Sequence, residues 1–170
     1  MKNALRDYPI LFAGAVLIGV GCSCFFWIAF SFGEIPPQAR LLDFFIPLLV
    51  LVFMMILVRA RKKEHSFHFW EGLVAGNFML WTGGLISGLL IYILSTFQPQ
   101  IFENFTNSSI RYLNEFNKYA TENQKMADLP ERIKELKNLK PASFIMDEAI
   151  KKVFYSFLLV PFVAMIFRRK

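Results

Sequence analysis

The chain has 170 residues, 55% of them hydrophobic and 19% charged, with mean hydropathy +0.43 and 20 Phe, a balance better suited to lipid than to water. A formal net charge of +6 and a pI of about 9.4 would suggest nucleic acid in a soluble protein. Here the basic residues sit at the ends of apolar segments, so anionic lipid headgroups are the expected partners and nucleic acid is not. The two cysteines, Cys22 and Cys24, lie one residue apart in an apolar stretch, which supports neither a disulfide framework nor a zinc site.

The first apolar block runs from about Tyr8 to Phe32 without a charged residue, more than the ~20 residues that a helix needs to cross the hydrocarbon core. Lys2 and Arg6 precede it. Gly21-Cys22 faintly suggests a lipoprotein cleavage site, but Gly19 stands where a large aliphatic residue is needed and the block continues through Phe25, Phe26, Trp27 and Ile28. It therefore reads as a retained span. Glu34 to Gln38, with Pro36 and Pro37, form a turn.

The second block, from about Leu41 to Val58, has Asp43 near its outer edge and Pro47 in its first turns, where a mild kink is expected. Arg59, Arg61, Lys62 and Lys63 then form the densest basic cluster of the chain. The third block, Phe69 to Phe97, is rich in glycine and carries no Lys, Arg or Asp after Glu71. From Gln98 to Glu148 the character changes to 7 basic and 8 acidic residues, with Pro99, Pro130 and Pro141, as in a water-exposed insertion.

Within that insertion Phe102, Phe105, Ser109, Tyr112, Phe116 and Tyr119 recur three or four residues apart, an aromatic stripe on one face of a helix. Leu129, Ile133, Leu136 and Leu139 do the same in a shorter helix. The last block, Val153 to Phe167, has only 15 residues. It reaches span length if the helix starts near Phe144 and Lys151 and Lys152 snorkel outward, paired as Asp147 with Lys151 and Glu148 with Lys152.

The fold class expected is all-α: one polytopic membrane domain over residues 1–170, with spans at about 8–32, 41–60, 69–97 and 149–168 and a helical extramembrane insertion at 98–148. Flanking Lys and Arg number nine on one side (Lys2, Arg6, Arg59, Arg61, Lys62, Lys63, Arg168, Arg169, Lys170) and four on the other (Arg40, Arg111, Lys151, Lys152). That bias puts both termini in the cytoplasm and the insertion outside, in the periplasm of a bacterial inner membrane.

Candidate functional residues are few. His65, His68 and Glu71 are spaced three apart and could offer metal ligands on a helix, but interfacial hydration beside the basic cluster is the preferred reading, and no metal site is assigned. Glu71, at the start of the third span, and the polar positions Asn77, Thr82, Ser87, Ser95 and Thr96 line either a polar path or the contacts between helices, and packing is preferred. Gly72-x-x-x-Gly76 and Gly84-x-x-x-Gly88 permit close helix approach within the bundle or between two copies, the former preferred. The aromatic stripe (Phe102, Phe105, Tyr112, Phe116, Tyr119) packs locally, lies on the bilayer or meets a protein. No nucleophile elbow, phosphate loop or metalloprotease motif occurs, so neither catalysis nor a cofactor is implied.

At Phe69-x-x-Gly72-Leu73-x-x-Gly76, after a basic loop and before a glycine-rich span, the chain resembles the domain-of-unknown-function 4199 family of small bacterial membrane proteins, found chiefly in Bacteroidetes. The likeness extends to the layout: a charged tip, two spans, a basic loop, a third span, a Lys- and Glu-rich insertion and a last span ending in Arg168-Arg169-Lys170. It implies a fold and a compartment but no activity. The function expected is that of a non-enzymatic inner-membrane protein that meets a protein partner, a second copy or the membrane through its insertion. The alternative is a small oligomeric transporter or channel with Glu71 and the third-span polar face along its path.

Overall fold

The computed structural model describes residues 2–31, 42–61, 68–119 and 128–167, with the side chains of residues 2–7 excepted, and six helices lie among them: α1 Lys2–Ser31, α2 Phe45–Arg61, α3 Phe69–Phe97, α4 Pro99–Tyr119, α5 Leu129–Lys137 and α6 Ser143–Phe167. No strand occurs among the described residues. Four segments are long and apolar enough to cross a membrane: Tyr8–Ser31, Leu42–Arg61, Phe69–Phe97 and Ser143–Phe167. The turn expected at Glu34 to Gln38 and the terminal basic residues Arg168 to Lys170 lie outside the described residues.

These four helices are apolar on their outward faces as well as their inward ones. Leu49, Phe53, Val74, Leu85, Phe157, Phe162 and Met165 are all exposed, and a helix that is hydrophobic all round is stable only inside a larger core or in lipid. α4 and α5 differ, because α4 buries Ile101, Phe105 and Ser109 and α5 half-buries Leu129, Ile133 and Leu136, while both turn charged residues outward. Pro99 explains the break before α4: it has no N–H to donate to the Ser95 carbonyl, so α3 stops at Phe97 and a new helix starts with Pro at its first position.

α3 is the central helix. Its longest seams are with α6 on one face and α1 on the other, while α2 packs on the outside of α1 and α6. Glycine makes both seams close. A Cβ at Gly88 would come within 2.6 Å of the Ile145 Cα, one at Gly84 within 2.8 Å of the Lys152 Cβ, and one at Gly76 within 2.6 Å of Val160. Gly83 faces α1 instead, against Ile18. Gly76, Gly84 and Gly88 all meet α6, and Gly72 is buried as well.

Two apolar clusters are stacked along the bundle. One gathers Ile18, Leu51, Met55, Met79, Leu80 and Val160; the other gathers Phe26, Phe30, Ile91, Ile101, Phe105 and Phe144. In the second cluster the Phe105 and Phe144 rings meet edge-on with centroids 5.1 Å apart. Asn104 Nδ2 there donates to the Phe30 carbonyl at 2.9 Å, which gives α1 a partner for one of its last backbone acceptors. The kink expected at Pro47 is not required. α2 begins at Phe45, so Pro47 falls in the first turn, where a backbone N–H has no partner within the helix anyway.

Gly88→Ala must push the α6 backbone away, which by the usual scale of overpacking costs about 1–3 kcal/mol. Gly14→Ala meets flexible side chains and no backbone, the Met79 thioether at 2.7 Å and Met54 Cγ at 3.0 Å. Thermal unfolding in detergent is expected to show a clear loss for the first and little for the second; equal shifts would refute the tight α3–α6 seam.

Candidate functional site

Between the two apolar clusters, where hydrocarbon-like packing should be unbroken, four charged side chains meet. Lys152 is 0% exposed, Glu148 1% and Asp43 3%. The Lys152 side chain donates from Nζ to Asp43 Oδ2 at 2.8 Å and to Glu148 Oε2 at 3.1 Å. Lys151 Nζ reaches the same Asp43 oxygen at 2.6 Å and Glu148 Oε1 at 2.7 Å, with 16% of its side chain exposed.

Neutral donors complete the set. The Tyr155 hydroxyl donates to Asp43 Oδ1 at 3.2 Å, and the Ser87 hydroxyl to Glu148 Oε2 at 3.4 Å. Ser23 Oγ donates to the Gly19 carbonyl at 2.7 Å and lies 3.3 Å from the Ser87 carbonyl. Lys152 Nζ also stands 5.3 Å from the centre of the Tyr155 ring, within cation–π range.

The local sequence builds this arrangement from three elements. A 3₁₀ turn over residues 42–44 carries Asp43 into the bundle just ahead of α2. In α6, Glu148, Lys152 and Tyr155 follow helical spacing on the inward stripe. In α3, the absence of a side chain at Gly84 admits the Lys152 Cβ and leaves the Glu148 carbonyl 3.1 Å from where a Cβ would stand. An isolated charge in such surroundings would be expelled or neutralised; two carboxylates and two ammoniums at contact distance compensate one another.

This overturns one expectation. Lys151 and Lys152 do not snorkel outward: Lys152 is sealed in the bundle and Lys151 turns to Asp43 and Glu148. The pair Glu148 with Lys152 forms as expected, but inside the bundle. The reason is Asp43, 109 positions away from Lys152 in the chain, whose carboxylate makes the interior the better solvent for both lysines. α6 accordingly runs its full length from Ser143, with Glu148, Lys151 and Lys152 paired around Asp43 and Asp147 exposed.

The residues singled out from sequence fall elsewhere. Glu71 is exposed at the start of α3, where its Oε2 accepts the His68 backbone N–H at 3.2 Å; it caps the helix and points at no interior path. His68 is exposed, and His65 lies outside the described residues. Among the described residues no group of three or more His, Cys, Asp or Glu is placed to hold a metal ion. Asn77 is half-buried and donates to the Leu73 carbonyl of its own helix at 2.8 Å.

The aromatic stripe divides. Phe105 is buried and Phe102 partly so against Phe144, the local packing that was expected, while Phe116 and Tyr119 emerge at 39% and 79% exposure. Beyond the bundle, Tyr112 and Leu113 of α4 face Leu136 of α5 and Leu139 just past its end across a groove of about 360 Å³. At its rim Arg132 hydrogen-bonds Asp128 at 2.7 Å and holds that carboxyl below its ordinary value.

Lys152→Met leaves two carboxylates facing one ammonium and is expected to destabilise the bundle by about 3–5 kcal/mol. Adding Glu148→Gln restores neutrality, so the double variant should unfold at higher denaturant or temperature than Lys152→Met alone. Strictly additive losses would mean that the charges are not coupled.

The family model described as Protein of unknown function (DUF4199) matches residues 14–169, nearly the full chain. Comparison with curated proteins and with solved structures gives no match.

Proposed function

The chain belongs to the DUF4199 family, described as one of unknown function, and on that premise we propose a function from the geometry alone: a non-enzymatic membrane protein that holds a helical hairpin, α4 and α5, outside the bilayer for contact with a partner. The observation that carries this reading is the contrast within α4. Its first half is built into the bundle through Ile101, Phe105 and the Asn104 hydrogen bond, while its second half presents Phe116 and Tyr119 beside an open groove. A rigid base with an aromatic tip suits recognition, since little ordering remains to be done on binding.

The buried charges support the same reading from the other side. Saturated by one another, they serve to hold the spans in register, as an anchor requires. The compartment proposed is a bacterial inner membrane with both termini in the cytoplasm and the hairpin in the periplasm, on the strength of the nine-to-four excess of Lys and Arg.

A photo-crosslinker placed at Phe116 or Leu136 in the cell should give a discrete adduct, to one protein or to a second copy, that is absent from the outward-facing control position Leu49. Phe116→Ser with Tyr119→Ser should abolish it without moving the unfolding midpoint. If the hairpin positions yield no more adduct than Leu49, the hairpin is not an interaction face.

The alternative, a small oligomeric transporter or channel, draws its support from the charges inside the bundle, which often mark ion paths. In that case purified protein in liposomes would show ion or solute flux. Because Glu71 caps a helix at the surface, Glu71→Gln is expected to leave flux, stability and crosslinking unchanged to within about 1 kcal/mol of helix-cap energy.

A further inference from the structure

Among the described residues, every side-chain donor to Asp43 comes from one helix. Lys151, Lys152 and Tyr155 of α6 stand at i, i+1 and i+4, and together they occupy both carboxylate oxygens, two ammoniums on Oδ2 at 2.6 and 2.8 Å and one hydroxyl on Oδ1 at 3.2 Å. Convergent charged and neutral donors on both oxygens are how proteins bind a free carboxylate. The charge balance fits the same description. Glu148 neutralises one of the two ammoniums, so the position held by Asp43 calls for a single negative charge.

Among the described residues, the other groups around this position come from three helices. α1 contributes Cys22 and Ser23, α3 contributes Ser87, and α6 contributes Glu148 in addition to the three donors. Asp43 itself belongs to no regular helix, since it sits in the 3₁₀ turn that leads into α2. α2 is also peripheral, with shorter seams to its neighbours than those α3 makes with α6 and α1.

We infer that Lys151, Lys152 and Tyr155 form a carboxylate-binding cradle on α6, which Asp43 fills as a tethered ligand, and that the start of α2 is latched to the bundle through this contact. This goes beyond the role of the hairpin and does not depend on it. A free carboxylate of matching size can take the place of the Asp43 side chain when that side chain is removed. Lys151, the one partly exposed member, marks the side from which it enters.

Cys22, buried at 1% exposure beside Lys152, is a native reporter of the latch. In full-length protein in nanodiscs, with Cys24→Ala to remove the second thiol, a water-soluble maleimide should label Cys22 slowly. Asp43→Ala should raise that rate about tenfold or more, because it leaves a buried ammonium uncompensated. Sodium formate or acetate should bring the rate back towards the parent value, at millimolar or higher concentration as expected of ligands so small, while sodium chloride at the same ionic strength should not.

Labelling that ignores Asp43→Ala, or that chloride slows as well as formate does, would overturn the cradle. Recovery of folded Asp43→Ala only when formate or acetate is present throughout extraction would support it. If the variant is not recovered under any condition, Asp43→Asn, which keeps shape but not charge, supplies the measurement. Its Cys22 must label several-fold faster than the parent, and an equal rate would overturn the proposal.

Discussion

Two carboxylates and two ammoniums brought together inside an apolar bundle set the terms for the rest of this structure. Each would be intolerable there alone, and the desolvation of any one is offset only if its partners arrive at contact distance. Asp43 comes from the turn before α2, Glu148, Lys151 and Lys152 from α6, and the hydroxyl of Ser87 from α3. The requirement that these meet specifies which helices adjoin and at what height. Apolar packing alone would leave both less defined, because lipid tails and leucine side chains are nearly equivalent as surroundings.

The glycines of α3 are the steric counterpart of that electrostatic demand. Gly84 and Gly88 let the α6 backbone lie against α3 at the residues flanking Glu148. Without that approach the Lys152 stem would have no room and Ser87 would stand too far from the carboxylate. The aromatic cluster of Phe26, Phe30, Phe105 and Phe144 then closes the network on the side where α4 sits. α4 is thereby both a cover for the charges and the base of the hairpin, which ties the stability of the spans to the placement of the proposed interaction face.

α3 shares its longest seams with α1 and α6, and α2 joins them through Leu51, Met54, Met55 and Val58 along its length and through the charged contact at its start. Charged contacts in a dry environment are strong when complete and costly when a single member is lost. α4 itself packs on α1, α3 and α5.

How much of this the sequence determined by itself can be seen residue by residue. Blocks such as Tyr8 to Phe32 are long and apolar enough for a helix that crosses a membrane, Pro99 stops one helix and starts another, and the layout with Phe69-x-x-Gly72-Leu73-x-x-Gly76 pointed to the family that the match over residues 14–169 then showed. Period and length are local properties, and a linear reading recovers them. The environment of Lys152 is not local. From its neighbours it looks like a residue at the edge of a short span, reaching for water, and only the folded chain brings Asp43 to it from 109 positions away. One signal was present, an acid at the start of one span and paired bases at the start of another. Glu71, by contrast, looked functional because it was the lone acid of its span, and the structure places it at a helix start in contact with backbone. Whether a charge is a site depends on what surrounds it in three dimensions, and that is decided by packing between helices, which no single stretch of sequence contains.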